Sequence, residues 1–255
     1  MNPVAAVGAA ALALCRGVGS ATLFGARGVA AAFAPPVFWR QLLGQLMAVG
    51  WWSLPVVGLT ALFTGATLAL NIHTAGGRLN AEQFLPQIVA LGITRELGPV
   101  LAALMLAARA AAAIAAEIGA MRATEQIDAL QTLSTDPFRY LVAPRLAAAV
   151  VALPLLVVVA DVIGIAGGWL VATATLDFNG VVYLRSTLDY LQPWDVLSGL
   201  IKAAVFGFLV ALTGCWHGYH AQGGARGVGR ATTDAVVSAA VLVFAANVLL
   251  TSLFT

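Results

Sequence analysis

Five long apolar runs, each near the length that crosses a lipid bilayer, constrain the fold of this chain most strongly. A membrane-spanning helix needs about 20 apolar residues, because the hydrocarbon core is about 30 Å thick. The runs cover residues 53–72, 85–118, 146–176, 196–216 and 235–253. Only 9% of the residues are charged, whereas a soluble domain carries about 25%. We therefore predict an all-α integral membrane protein with five transmembrane helices.

The N-terminal residues are rich in alanine and glycine, but arginines and prolines interrupt them at intervals. This pattern favours helices that lie along the membrane surface over a sixth span. We therefore divide the chain into an N-terminal cytoplasmic or interfacial helical segment, residues 1–48, and a transmembrane domain, residues 49–255.

The arginines between the runs predict the orientation, because cytoplasmic loops carry an excess of Lys and Arg. With the N-terminus in the cytoplasm, eight arginines fall on the cytoplasmic side: Arg16, Arg27, Arg40, Arg122, Arg139, Arg145, Arg226 and Arg230. The opposite side then holds only Arg78 and Arg185. We expect a cytoplasmic N-terminus and, after five spans, a C-terminus on the other side.

The second run contains two adjacent charges, Arg95 and Glu96, followed by Pro99, which is expected to kink the helix. A charge inside a bilayer costs at least about 2.5 kcal/mol and marks a functional site by default. Helix neighbours point about 100° apart, so each of the two needs another helix, a cavity or a ligand. Arg109, nearly four turns later, falls close to the face of Arg95.

A purely structural ion pair is the alternative for all three charges of the second run. Lys202 and Asp161, in the fourth and third runs, are candidate partners for each other or for these groups. The spacing alone does not assign the pairs. The alanine-rich residues 107–121 further indicate close helix packing, although alanine's helix propensity alone would also explain them.

A short amphipathic helix is predicted in the charged segment between the second and third runs. Thr124 can cap this helix, and Glu125 favours its N-terminus. Ile127, Leu130 and Leu133 form one apolar stripe, and the following "TDPF" predicts a turn. The stripe fits either the lipid surface or the groove of a partner protein, and the pattern does not choose between them.

Residues 95–130, "RELGPVLAALMLAARAAAAIAAEIGAMRATEQIDAL", resemble the signature of the MlaE (YrbE-type) permease family of ABC lipid transporters. The stretches "SLPVVGLTALFTGATLAL" and "GVGRATTDAVV" agree with the same family, so the resemblance extends over most of the chain from about Gln41. The family usually has glycine where this chain has Ala108 and Ala111, which puts the local helix geometry in doubt.

The resemblance implies a homodimeric permease in the bacterial inner membrane, each subunit bound to a cytoplasmic ABC ATPase. A periplasmic MCE-domain protein and a small STAS-domain protein complete such assemblies in Gram-negative bacteria. The implied substrate is phospholipid, moved between the inner membrane and the periplasmic carrier system, with a role in outer-membrane lipid asymmetry or lipid trafficking.

The resemblance also implies site residues. The lipid cavity would involve Arg95, Glu96, Leu68 and Arg109, with the arginine and glutamate pair facing the headgroup. The ATPase-coupling helix, within residues 120–137, would present Glu125, Gln126, Ile127, Asp128 and Leu130. The chain has no GxxxxGK[ST] phosphate loop, so we expect no cofactor on it, with ATP and Mg²⁺ bound by the partner ATPase.

Two other classes of function are considered. A membrane-embedded enzyme would draw on His217 and His220, but only Asp234 lies near them in sequence to complete a metal site. An ion-coupled secondary transporter would show internal repeats and paired carboxylates, which the sequence lacks. The net charge of +2, without a basic patch, argues against a nucleic-acid partner. Cys15 and Cys215 are expected to be ordinary thiols without a disulfide.

Overall fold

A computed structural model describes residues 3–33, 38–76 and 84–254 of the 255-residue chain. These residues form helices and no strand, which confirms the all-α prediction. Counting a run that continues through a wider turn as one helix, they are α1 (Pro3–Phe33), α2 (Trp39–Val49), α3 (Leu54–Gly76), α4 (Leu85–Ala123), α5 (Gln126–Thr132), α6 (Phe138–Thr175), α7 (Gly180–Tyr190), α8 (Pro193–Tyr219) and α9 (Gly224–Phe254).

Five of the described helical stretches are long and apolar enough to cross a membrane, as predicted. They are α4, α6, α8, α9 and the combined stretch Trp39–Ala75, in which the short turn Trp51–Ser53 joins α2 to α3. Most helices begin earlier or end later than the apolar runs. The reason is that hydropathy detects the segment suited to hydrocarbon, whereas caps and turns set where a helix begins and ends. The positive-φ Gly223 and Gly224 form such a turn at the start of α9.

The N-terminal part of the chain packs on the bundle. The predicted division between residues 48 and 49 falls at the end of α2, and the location of residues 1–48 at the membrane surface stays a prediction. Gly25 of α1 faces Leu212 of α8, and Gly28 faces Leu146 of α6, so small residues bring α1 close. Arg78, assigned above to the outer side, lies outside the described residues.

Backbones in the bundle approach each other closely at glycines. Gly65 of α3 meets the backbone of Gly164 in α6, with no room for a Cβ atom. On α8, a Cβ atom at Gly214 would lie 3.0 Å from the Ala111 carbonyl oxygen, and one at Gly218 would lie 2.9 Å from that of Ala115. The alanine-rich part of α4 is therefore a packing surface for α8, because small residues let membrane helices gain dispersion energy.

Helix α4 contains two π-helical turns, Ile93–Leu97 and Ala107–Ala111. A π turn holds an extra residue per turn and often occurs at functional sites. The first π turn contains Arg95 and Glu96, and the second contains Arg109. The doubtful geometry around Ala108 and Ala111 is thus a π turn. The two turns also shift the helical register, so Arg95 and Arg109 do not share one continuous face.

Helix α7 was not predicted from the sequence. Its N-terminus is capped by the Asn179 side chain, whose Oδ1 accepts hydrogen bonds from the backbone N–H groups of Val181 (3.0 Å) and Val182 (3.3 Å). The helix packs its buried Tyr183 against α4 and α6, next to Gly168. Burial raises the pKa of the Tyr183 phenol to about 12. Helix α7 therefore closes the end of the bundle where Arg95 lies.

Candidate functional site

Glu96 is the centre of a polar cluster that joins three membrane helices. Lys202 of α8 lies 2.7 Å from Glu96 Oε1, measured from its Nζ atom. Thr251 of α9 donates its hydroxyl to the same oxygen at 3.0 Å, and Asn247 Nδ2 donates to Oε2 at 3.0 Å. Both carboxylate oxygens of Glu96 are therefore satisfied by groups on other helices.

Pro99 explains why a lysine is held at this point. Proline has no backbone N–H, so it cannot donate to the carbonyl of Arg95 four residues earlier. Lys202 Nζ donates to that carbonyl at 3.0 Å and also to Thr251 Oγ1 at 2.8 Å. With three partners, the 2%-exposed Lys202 offsets much of the free energy lost on burying its charge. The turn before Pro99 is thus a point where α8 attaches to α4.

Arg95 has a much weaker partner than Glu96. Its Nη1 atom lies 3.7 Å from Asp195 Oδ1, which is too long for a hydrogen bond, and 29% of its side chain is exposed. Asp195 is also engaged at the N-terminus of α8, where its Oδ2 accepts from the Gln192 backbone N–H at 3.1 Å. The guanidinium of Arg95 thus keeps donors available for another group.

An open pocket of about 650 Å³ lies beside this cluster. Its polar wall includes Arg95, Glu96 and Thr251, and its other walls are largely apolar and aromatic: Phe84, Gln87, Ile88, Leu91, Gly92 and Tyr190. The volume is within the range of small-molecule sites, about 300–1,000 Å³. One charged edge beside apolar walls suits an amphipathic molecule.

Leu68 and Arg109 are not among the residues that line this pocket. Leu68 packs behind it, because a Cβ atom at Gly92 would lie 3.5 Å from Leu68 Cδ2. Arg109 reaches the corner between α2 and α3, where its Nε donates to Ser53 Oγ at 2.9 Å. Its guanidinium also contacts the carbonyl oxygens of Ala48 and Val49. The structure brings Arg95 and Glu96 together at the pocket and places Arg109 elsewhere.

Asp161 does not pair with Lys202, although the sequence made them candidate partners. Its side chain is buried in α6 against Gly98 of α4, and its Oδ1 has no hydrogen-bond partner in the described part of the chain. Lys202 lies instead on α8 beside Glu96. The sequence left both partners open for Lys202, because hydropathy gives the depth of a residue in the membrane but not the direction in which it points, and the structure selects Glu96.

The short amphipathic helix predicted after the second run is present as α5, with a different start from the one expected. Thr124 does not cap it, because its hydroxyl donates back to Ala120 O at 2.9 Å and so belongs to the end of α4. Glu125 occupies the N-cap position in a left-handed conformation, with a φ of 57°. That sharp turn separates α5 from α4.

The apolar stripe of α5 is divided between the bundle and solvent. Ile127 is fully buried in the core, Leu130 is half-buried, and Leu133 is 75% exposed. Gln126 is exposed, and Asp128 pairs with Arg122 at 2.7 Å. The "TDPF" segment forms the predicted turn, in which Asp136 Oδ1 accepts from the Phe138 backbone N–H at 3.0 Å. One end of α5 is thus anchored, while its exposed side is open to a partner.

The two histidines of the enzyme alternative make separate contacts. His217 Nε2 lies 3.0 Å from Ser238 Oγ, and His220 Nδ1 lies 2.9 Å from the Trp216 carbonyl oxygen. Within the described ranges, no group of three or more His, Cys, Asp or Glu side chains is arranged to hold a metal ion.

Six polar side chains from three helices form this cluster: Arg95, Glu96, Asp195, Lys202, Asn247 and Thr251. Of these, only Arg95, Glu96 and Lys202 were candidates from the sequence. Asp195 was missed because it is at the edge of an apolar run. Asn247 and Thr251 were missed because polar uncharged residues within a span do not stand out by charge. Their spacing of four residues on α9, facing one side, is the signal that could have found them.

Five membrane-length helices, with a charged cluster beside an amphipathic pocket, are the features of a polytopic membrane protein. The family model "Permease MlaE" matches residues 42–253. A probable ABC transporter permease protein of Rickettsia felis is 49% identical over 100% of this chain and 98% of its own length. The chain therefore belongs to the MlaE permease family and is an ABC-transporter permease.

Two more distant relatives carry more specific names. The intermembrane phospholipid transport system permease protein MlaE of Haemophilus influenzae is 38% identical, over 83% of this chain and 82% of that protein. The chloroplastic protein TRIGALACTOSYLDIACYLGLYCEROL 1 of Arabidopsis thaliana is 37% identical, over 86% of this chain and 62% of that protein.

Proposed function

We propose that this chain is the membrane subunit of an ABC transporter that moves phospholipids between the inner membrane and a periplasmic MCE-domain carrier system. The observation that carries the proposal is the pocket beside Arg95, with one charged edge and apolar walls. A phospholipid has the matching division into a charged headgroup and apolar chains. The phospholipid transport named for the Haemophilus relative supports the same substrate class.

Arg95 is the group assigned to the headgroup phosphate. A guanidinium forms charge-assisted, frequently bidentate hydrogen bonds with phosphate, and these are stronger than neutral ones. Its present partner, Asp195, is 3.7 Å away, so a phosphate could gain shorter bonds without breaking a strong pair. Glu96 has the different role of an anchor, since Lys202, Asn247 and Thr251 already engage it.

The active unit in this proposal is a homodimer with one cytoplasmic ABC ATPase per subunit, and a STAS-domain protein is a further possible component. ATP and Mg²⁺ belong to the ATPase, which binds the exposed side of α5 through Glu125 and its neighbours. The eight-to-two distribution of arginines supports a cytoplasmic N-terminus and a periplasmic C-terminus in the inner membrane. In this orientation the pocket lies toward the periplasm, and the system serves outer-membrane lipid asymmetry or lipid trafficking.

The experiment is to purify the protein from its native membrane in mild detergent and identify bound proteins and lipids by mass spectrometry. Arg95→Ala should deplete bound phospholipid while the ATPase remains attached, and Glu125→Lys should do the reverse. Arg122→Ala is a useful control, because it removes the surface pair with Asp128 without removing Glu125.

A wild-type protein that arrives with neither an ATPase nor enriched phospholipid would contradict the proposal. Turnover by the purified chain alone would then favour an enzyme. Inhibition of transport by an uncoupler at constant ATP would favour an ion-coupled transporter.

A further inference from the structure

A second pocket, of about 300 Å³, lies between α1, α6 and α8, at the opposite end of the bundle from Arg95. Helix α1 provides one wall through Ser20, Leu23, Phe24 and Arg27, which are spaced so that they share one helix face. The facing wall is made by the beginning of α6 and the end of α8. The pocket thus exists only where α1 packs on the bundle.

The floor of this pocket is aromatic. The Phe24 ring centroid lies 4.9 Å from that of Phe138 and 5.5 Å from that of Trp216. Tyr219 joins the same group at 5.6 Å from Phe24, and the His220 ring centroid lies 3.9 Å from that of Trp216, with the two rings tilted by 43°. Aromatic residues of this kind are enriched where membrane proteins meet the headgroup layer, because their rings are apolar and their polar atoms are hydrated.

Arg27 is the charged side chain among the described residues that line the pocket. Arg27 is exposed and makes no ion pair or hydrogen bond with the part of the chain that the structure describes. His220 donates its Nδ1–H to the Trp216 carbonyl oxygen at 2.9 Å, so its Nε2 is not used in that bond. Among the described residues no carboxylate lines the pocket. An anion would therefore meet an unneutralised guanidinium and no repulsive acid.

The exposed apolar residues of α1 near the pocket indicate that the anion is the headgroup of a lipid. Leu23 is 68% exposed at the edge of the pocket, and Leu12 and Val18 are exposed on the same helix, at 59% and 57%. Such apolar exposure beside basic residues is typical of a helix that lies in a lipid headgroup layer. Basic pockets between membrane helices on the cytoplasmic side bind anionic headgroups.

We propose that this pocket binds an anionic phospholipid, with the phosphate on Arg27 and the glycerol and upper acyl chains against Phe24 and Trp216. This site is separate from the pocket at Arg95. In the proposed orientation this pocket lies at the cytoplasmic leaflet. Lipid binding at Arg27 is inferred from the pocket itself and does not depend on that orientation. The bound lipid would stabilise α1 on the bundle by filling the space between them.

The test uses the full-length protein, delipidated in mild detergent and titrated with phosphatidylglycerol or phosphatidylcholine of identical acyl chains, with bound lipids counted by native mass spectrometry. Arg27→Ala should weaken phosphatidylglycerol binding about fivefold, as expected for one basic residue near a headgroup layer. Arg27→Lys should restore most of it, and phosphatidylcholine should bind weakly at this site in every protein.

Arg16→Ala is the matched control, because Arg16 is exposed on the same helix, about three turns from Arg27, and does not line the pocket. It should bind phosphatidylglycerol like wild type. An equal loss in Arg16→Ala would reduce the effect to general surface charge and overturn the site. Equal binding of the two lipids, or full displacement by inorganic phosphate, would overturn the anionic lipid as ligand.

Arg95→Ala separates this inference from the proposed function. If it removes one class of bound phospholipid while Arg27→Ala removes another, both sites stand. If Arg95→Ala has no effect and Arg27→Ala does, the transport pocket fails and the α1 site stands. The opposite result overturns the α1 site alone.

Discussion

The two π turns of α4 each carry an arginine inside the membrane-spanning region, but they satisfy it in different ways. Arg109 uses the oxygens of Ala48, Val49 and Ser53, all at the corner between α2 and α3. Arg95 has one distant carboxylate and an open pocket beside it. A charge within a span is therefore not enough to propose a ligand site, since Arg109 is engaged by protein oxygens. The proposed site at Arg95 rests on guanidinium donors that have no close acceptor.

The largest effect is expected when Lys202, which contacts the first π turn of α4, is replaced. Lys202→Met should lower the free energy of unfolding by about 2–4 kcal/mol, because Glu96 would lose its countercharge. The figure is below that for a fully buried pair since the Glu96 side chain is 37% exposed. The measurement is the denaturation midpoint in detergent, with the double variant Lys202→Met/Glu96→Gln as control. The double variant should recover much of the loss, and a double variant no more stable than the single one would contradict the pairing.

A smaller loss of stability is expected at the second π turn. Arg109→Ala should cost about 1–3 kcal/mol, because the acceptors at the α2–α3 corner, of which Val49 and Ser53 are buried, lose their donor. Arg109→Lys should restore only part of this, since one ammonium cannot reproduce the forked guanidinium contacts. Thermal unfolding measures the loss, and native mass spectrometry of the same sample should show unchanged phospholipid. Loss of lipid without loss of stability would instead support Arg109 as a cavity residue.

Arg95→Ala should have the opposite profile, with a stability change below about 1 kcal/mol, because a long, partly exposed ion pair contributes little. Bound phospholipid should nevertheless fall strongly. Arg95→Lys keeps the charge and should retain part of the binding. Thermal unfolding at fixed lipid concentration would reveal the contrary result, a large destabilisation with lipid binding intact.

The smallest effect is expected at Asp161, which lies near the first π turn but does not belong to its cluster. Asp161→Asn keeps the shape and the polarity of a buried side chain whose Oδ1 has no partner in the described residues, so stability should change by no more than about 0.5 kcal/mol. Asp161→Leu is the control for side-chain shape, because it alters the packing against Gly98. A marked loss in Asp161→Asn would indicate a partner from outside this subunit.

The transmembrane layout could be predicted from the sequence because lipid imposes a length and an apolar composition on every span. The same rule identified Arg95 and Glu96 as unusual, because charged residues are rare within a span. Their partners could not be predicted, because Lys202 and Thr251 are more than 100 residues away and reach Glu96 only after the helices pack. For this reason the sequence left open whether Lys202 pairs with Asp161 or with the charges of the second run, and the structure pairs it with Glu96.

Local geometry was harder to predict than topology. Pro99 marks the place where α4 lacks a hydrogen bond, but a kink, a π turn and a side-chain donor are all possible responses. Helix α7 was missed because it is short and depends on Asn179 and on the burial of Tyr183 by other helices. The start of α5 was misplaced by one residue, since Glu125 adopts the left-handed conformation that usually favours glycine.

The most direct test of the account compares Arg95→Ala with Arg109→Ala after reconstitution of the permease with its ATPase into vesicles, with ATP-dependent phospholipid transfer as the readout. Arg95→Ala should lose most transfer at near-normal stability. Arg109→Ala should retain transfer per folded molecule despite its lower stability. Normal transfer by Arg95→Ala, with transfer lost in a stable Arg109→Ala protein, would contradict it.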